Sequence, residues 1–118
     1  MDVRTAVISF HHSERIKSEL IIGSSLLSKL TSFRGEELSG AVKMVALFLE
    51  AVSGEARIAY NTLRSESFLE ADRKIGESVA SVKIHDYDGA NACISQALSM
   101  ITTRSHEAMK VLMESRLI

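Results

Sequence analysis

The chain of 118 residues predicts an all-α fold, an antiparallel up-and-down four-helix bundle. Three observations predict it. There is no proline and only six glycines, so the usual punctuation of sheets and long loops is nearly absent. Apolar residues recur in alternating steps of four and three along most of the chain. The stretches between the periodic segments are short, which favours antiparallel neighbours.

The first helix is expected to carry Ile16, Leu20, Gly23, Leu27 and Leu30 as one line, with Ile22, Leu26 and Phe33 as another. Ahead of it, Val3, Ala6, Val7 and Phe10 have helical spacing but do not continue in phase through Ser13 and Glu14. Residues 3–10 therefore read either as an extension of the first helix or as a separate turn or short strand, because so short a run does not decide periodicity.

The second helix is the clearest, from about Glu36 to Leu63. Leu38, Val42, Val45, Leu49, Val52, Ala56, Ala59 and Leu63 form a heptad seam. Glu36 and Glu37 stand in the first turn and Arg64 at the end, each where the helix dipole favours its charge. A second line, Ala41, Met44, Phe48, Ala51 and Ile58, widens the apolar stripe. It marks this helix as the central one.

The third helix is expected to start at Ser67, with Ser67 and Glu70 as a capping box and Phe68, Asp72, Ile75, Val79 and Val82 as its seam. His85 to Gly89 reads as a turn, and Asp86 or Asp88 as the cap of the fourth helix. Ala90, Ile94, Ala97, Ile101, Arg104, Ala108 and Val111 form the fourth seam. Residues His85 to Leu98 resemble the second helix of a tetratricopeptide unit, with an acidic-aromatic turn ahead of small and aliphatic positions; the resemblance implies a helix-turn-helix and is carried no further.

Residues 1–118 are read as a single helical domain. Lys and Arg number 14 against 15 Asp and Glu, a net charge of −1, which disfavours nucleic-acid binding through bulk electrostatics. The longest apolar run, Met44 to Leu49, is closed by Lys43 and Glu50, so no membrane span is expected. The single cysteine, Cys93, has no internal partner, and a reducing cytoplasm is the expected compartment.

Chemistry is sparse. No Glu precedes a histidine by three residues, so the di-iron pattern of helical bundles is missing, and no glycine-rich phosphate loop occurs. Glu66, Glu70, Asp72 and Glu77 have Arg73 and Lys74 among them as simpler partners than magnesium. No metal, cofactor or catalytic residue is expected.

Asp72 and Arg104 are charges at seam positions, and burying either alone costs several kcal/mol. One expectation is therefore that they pair across the third and fourth helices. Two functional classes follow. The first is a structural or interaction protein that forms a homodimer through the surplus apolar face of the second helix, with Met44, Phe48 and Ala51 at the interface. From Ala41 to Val52 ten of twelve residues are apolar, more than a surface helix normally carries. The second is a small-ligand or nucleotide-binding bundle, in which Asp72, Arg104, His85 and Tyr87 converge near one end.

Overall fold

The computed structural model describes Met1 to Ile118 and contains four α-helices and no strand. The helices are α1 (Val3–Ser28), α2 (Gly35–Leu63), α3 (Glu66–Lys83) and α4 (Tyr87–Glu114), with one 3-10 turn, Leu30–Ser32, between α1 and α2. Each helix packs on the next, and α1 closes the square against α4; the diagonal backbones stay apart, and across one diagonal the His12 and Phe68 rings meet edge-on with centroids 6.5 Å apart. This is the antiparallel four-helix bundle, drawn out to 54 × 23 × 18 Å. The sparsest of the four packed edges is α1 against α2.

Helix α1 is continuous through residues 3–10, so the separate turn or strand is not formed. Its buried stripe is Ala6, Ser9, Ser13, Ile16, Leu20, Gly23 and Leu27, an unbroken heptad line. Two of its members are serines, which is why the apolar pattern loses phase near His11. Asp2 caps the helix, accepting from the Thr5 amide at 2.8 Å. At Gly23 a Cβ would lie 3.0 Å from Leu49 Cδ2 and 3.4 Å from Phe48 Cε1, so the missing side chain lets α2 approach α1.

Helix α2 buries Val42, Val45, Ala46, Leu49, Val52, Ser53, Ala56 and Ala59. The expected seam is therefore in place, with Leu38 and Leu63 half-buried at its ends. The second line is not buried as a whole: Ala41 and Phe48 pack against the core, while Met44, Ala51 and Ile58 face solvent. A helix at the corner of a square has two neighbours, and its far side stays open. Arg64, in the left-handed conformation at φ 54°, ends the helix with its amide bonded to the Tyr60 carbonyl.

Two expectations for α3 and α4 are corrected. Helix α3 starts at Glu66 after Ser65, and no capping box forms at Ser67: the backbone of Ser65 accepts the Phe68 amide at 3.1 Å. Its buried face is Phe68, Ala71, Ile75, Ser78, Val79 and Val82, so Ala71 holds the position assigned to Asp72. On α4 the buried stripe runs through Ile101, Ser105, Ala108 and Leu112 instead of Arg104 and Val111. Two consecutive steps of four bring Ser105 inward, following the true helical period over the seven-residue repeat. Of the two candidate caps, Asp86 caps α4, accepting from the Gly89 amide at 2.9 Å, and Asp88 stands in the first turn. A Cβ on residue 89 would collide with that carboxylate.

Buried serines line the α1–α4 edge. Ser9 accepts from Arg104 Nε at 2.8 Å and Ser105 donates to Glu14 Oε2 at 2.6 Å. Ser13 Oγ is buried with no partner. A buried hydroxyl without a partner costs about 1–3 kcal/mol in desolvation. Ser13→Ala is therefore expected to stabilise the fold by about 1 kcal/mol, read as a raised urea midpoint at unchanged m-value.

Candidate functional site

Helix register separates the four residues expected to converge. Asp72 faces α2, where Ser53 Oγ donates to its Oδ1 and Arg57 Nε lies 3.2 Å from its Oδ2. Arg104 faces α1: its side chain is 14% exposed, bonds to Ser9, and lies 3.5 Å from Glu107 Oε2. Asp72 and Arg104 thus have different partners and do not pair. His85 and Tyr87 do meet, the phenol oxygen 2.9 Å from His85 Nδ1, in the turn between α3 and α4. Tyr87 and Arg104 are 17 positions apart on one helix, about 25 Å. The four do not form one pocket.

The acidic residues of α3 are matched along their own helix. Arg73 binds Glu70 at 2.7 Å and Glu77 at 2.9 Å, and Lys74 reaches Glu77 at 3.1 Å. Arg64 lies 5.4 Å from the centroid of the Tyr60 ring. The cations around the α2–α3 junction are largely taken up by these intrachain partners.

His85 also borders a cleft of about 560 Å³ beside α2, with Lys43, Leu47, Glu50 and Lys83. Two other features bear on function. The first is the outer face of α2. Met44 is 68% exposed, and Leu47 and Ile58 are each 58% exposed. Together with Ala51 they lie on one side of the helix at steps of three, four and seven, half a turn from the buried seam. Of the expected interface residues, Met44 and Ala51 belong to this face, whereas Phe48 sits at its edge and packs against Gly23 and the core. Leu47 was the residue missing from the sequence pattern. It lies outside the line drawn through Phe48, and only the observed burial shows which line faces outward.

The second feature is a cleft of about 210 Å³ between α1 and α2, lined by His12, Arg15, Ile16, Glu55 and Ile58. The Arg15 guanidinium joins two carboxyl groups, Nη2 to Glu55 Oε1 at 2.7 Å and Nε to Glu19 Oε1 at 3.2 Å. One cation faces two acids. Glu55 Oε2 is buried without a donor. Burial raises the pKa of Glu19 and its hydrogen bond to Glu55 raises it further, against the lowering pull of Arg15. A proton carried by Glu19 supplies a donor to the Glu55 carboxylate. Burial also lowers the pKa of His12, helped by His11 and Arg15. The sequence marks Ile16 and Ile58 only as members of apolar lines and assigns His12, Arg15, Glu19 and Glu55 to no site, because Glu19 and Glu55 become neighbours only through the α1–α2 register.

No protein-family model matches the chain, and neither a curated protein nor a solved structure was found similar to it. No group of three or more His, Cys, Asp or Glu side chains is placed to hold a metal ion, and no helix is long and apolar enough to cross a membrane.

The acid pair has a definite sign with pH. Glu19 binds its proton more tightly in the folded chain, so its contribution is complete below the unfolded carboxyl pKa and is lost as pH rises through the raised folded value. His12 acts oppositely: its contribution is present above the ordinary imidazole pKa and is lost as pH falls through the lowered folded value. Glu19→Gln replaces the proton with a permanent amide donor. Thermal melts are expected to show the variant level with the parent at pH 4 and above it at pH 8.

Proposed function

We propose that this chain is a structural or interaction module whose binding partner is a second copy of itself, joined through the outer face of α2. The supporting observation is the row Met44, Leu47, Ala51 and Ile58, apolar and open to solvent on the best-formed helix of the bundle. Scattered exposed apolar residues are ordinary on any protein. A row at helical spacing is different, because a second helix can cover all its members at once. On α1, Ile22 and Leu26 are also exposed, at 50% and 39%, and add apolar surface near the same edge of the bundle. A C2 dimer buries one such face against its own copy without leaving a further patch open.

Sedimentation velocity across the micromolar to submillimolar range is the direct test. The parent chain is expected to move from monomer to dimer with concentration. Leu47→Glu places a charge in the middle of the row and is expected to weaken dimerisation at least tenfold while leaving helical content and melting temperature of the monomer nearly unchanged. A parent chain that stays monomeric throughout removes the proposal.

A small-ligand role is the second reading, and one observation favours it: the donorless Glu55 Oε2 at a cleft already supplied with a surplus acid. The ligand class is a small organic cation that replaces the Glu19 proton at higher pH. In a thermal-shift series at pH 8, primary amines are expected to raise the melting temperature and equal concentrations of sodium chloride are not. Equal shifts from both count against this reading.

A further inference from the structure

The outer row of α2 continues beyond its large residues. Gly40, Met44, Leu47, Ala51, Gly54 and Ile58 follow one another at steps of 4, 3, 4, 3 and 4, a second heptad line on the side opposite the core. Large and small residues are distributed unevenly along it. Glycine inside a helix is unfavourable relative to alanine. Yet a Cβ added at Gly40 or Gly54 would meet nothing within 4 Å, so no neighbour in this chain requires either glycine. Both leave shallow open space on the face where Met44, Leu47 and Ile58 project.

We infer that two copies pack α2 against α2 in antiparallel orientation, about a two-fold axis on the outer face at the level of Leu49, with each large side chain of the outer row seated over a small residue of the other copy. This rests on the self-association proposed above and specifies its geometry. Antiparallel heptad lines match an a position of one helix with a d position of the other, so the residue numbers in each layer share a constant sum. With the axis at that level, Met44 lies over the partner's Gly54, Leu47 over the partner's Ala51, and Ile58 over the partner's Gly40. Every layer then holds one large and one small residue, the condition for interdigitation without voids or overlap.

The parallel alternative places each residue on its own copy. It stacks Leu47 on Leu47 and leaves Gly54 against Gly54 as a void. In the antiparallel arrangement the two Glu50 side chains come near the axis, each already bonded to Lys83 at 3.1 Å, so that two neutral ion pairs meet. Arg57 approaches the partner's Lys43, but it brings Asp72 with it. The row spans about 27 Å of helix, and contact over that length on both copies buries on the order of 1,000 Å², the lower edge of a specific interface. The dimer is accordingly one that dissociates readily.

Single cysteines in a Cys93→Ser background read the orientation, after sedimentation has established the dimer. Under mild oxidation the Glu50→Cys protein is expected to cross-link. The Met44→Cys protein is not, because its two thiols lie about 15 Å apart along the axis. Gly54→Leu supplies a second measurement: the better helix former is expected to raise the monomer's melting temperature while weakening the dimer at least tenfold, since it fills the space that Met44 of the other copy occupies. Cross-linking at Met44→Cys means a parallel pair and overturns the inference while leaving self-association intact. A dimer that cross-links at neither position overturns both the orientation and the choice of face. A chain that sediments only as monomer overturns the reading on which the inference rests.

Discussion

A helix at the corner of a square bundle has two neighbours and no more, and the arrangement of this protein follows from that limit. Each helix can bury the stripe facing the centre and the flanks that meet adjacent helices. Helices α3 and α4 have sequences suited to this, with their charged residues largely outside the stripe. Helix α1 leaves Val7, Ile21, Ile22 and Leu26 exposed, and α2 carries its surplus as a single row. Between Ala41 and Val52 its apolar residues extend around most of the circumference, and with neighbours only in α1 and α3 it leaves Met44, Leu47 and Ala51 outside. The bundle is complete without covering them. Their presence is a property of the surface, and the core does not account for it.

The interior is built largely from small side chains. Ala6, Ala46, Ala56, Ala59, Ala71, Ala90, Ala97 and Ala108 are buried together with five serines, and Phe68 is the one fully buried aromatic. Small seams let helix backbones approach closely, as Gly23 does against Leu49 and Phe48. They also make the interior depend on hydroxyl bonding. Ser78 bonds its own helix at the Ile75 carbonyl, Ser9 and Ser105 bond charged side chains of the opposite helix, and Ser13 has no partner. The α1–α4 edge is thus partly polar, and Arg104 lies along it with its guanidinium held to Ser9 and near Glu107.

These same residues explain how much could be read in advance. Helix number, the α2 seam and the Asp86 cap were legible because they rest on apolar spacing and on one local hydrogen bond. The seam positions of Asp72 and Arg104 were misplaced by one residue, since Ala71 and Ser105 are weak markers of burial and the apolar rule passes over them. Serine is neutral to such a rule, so Ser9 and Ser13 concealed the continuity of α1. The cleft formed by His12, Arg15, Glu19 and Glu55 was illegible for another reason. His12, Arg15 and Glu19 lie together on α1, Glu55 is more than 30 residues further along on α2, and nothing in either helix alone specifies the register that joins them.

The cleft and the outer face of α2 share a helix. Glu55 points towards α1 while its neighbour Gly54 belongs to the outward row, so the same turn of α2 contacts Arg15 on one side and is open on the other. The α1–α2 edge is the least densely packed of the four. The α2–α3 edge, by contrast, is tied in addition by Asp72 to Ser53 and Arg57. Loss of the Glu19 proton leaves two carboxylates on the one Arg15 guanidinium at the α1–α2 edge, where few other contacts offset their repulsion.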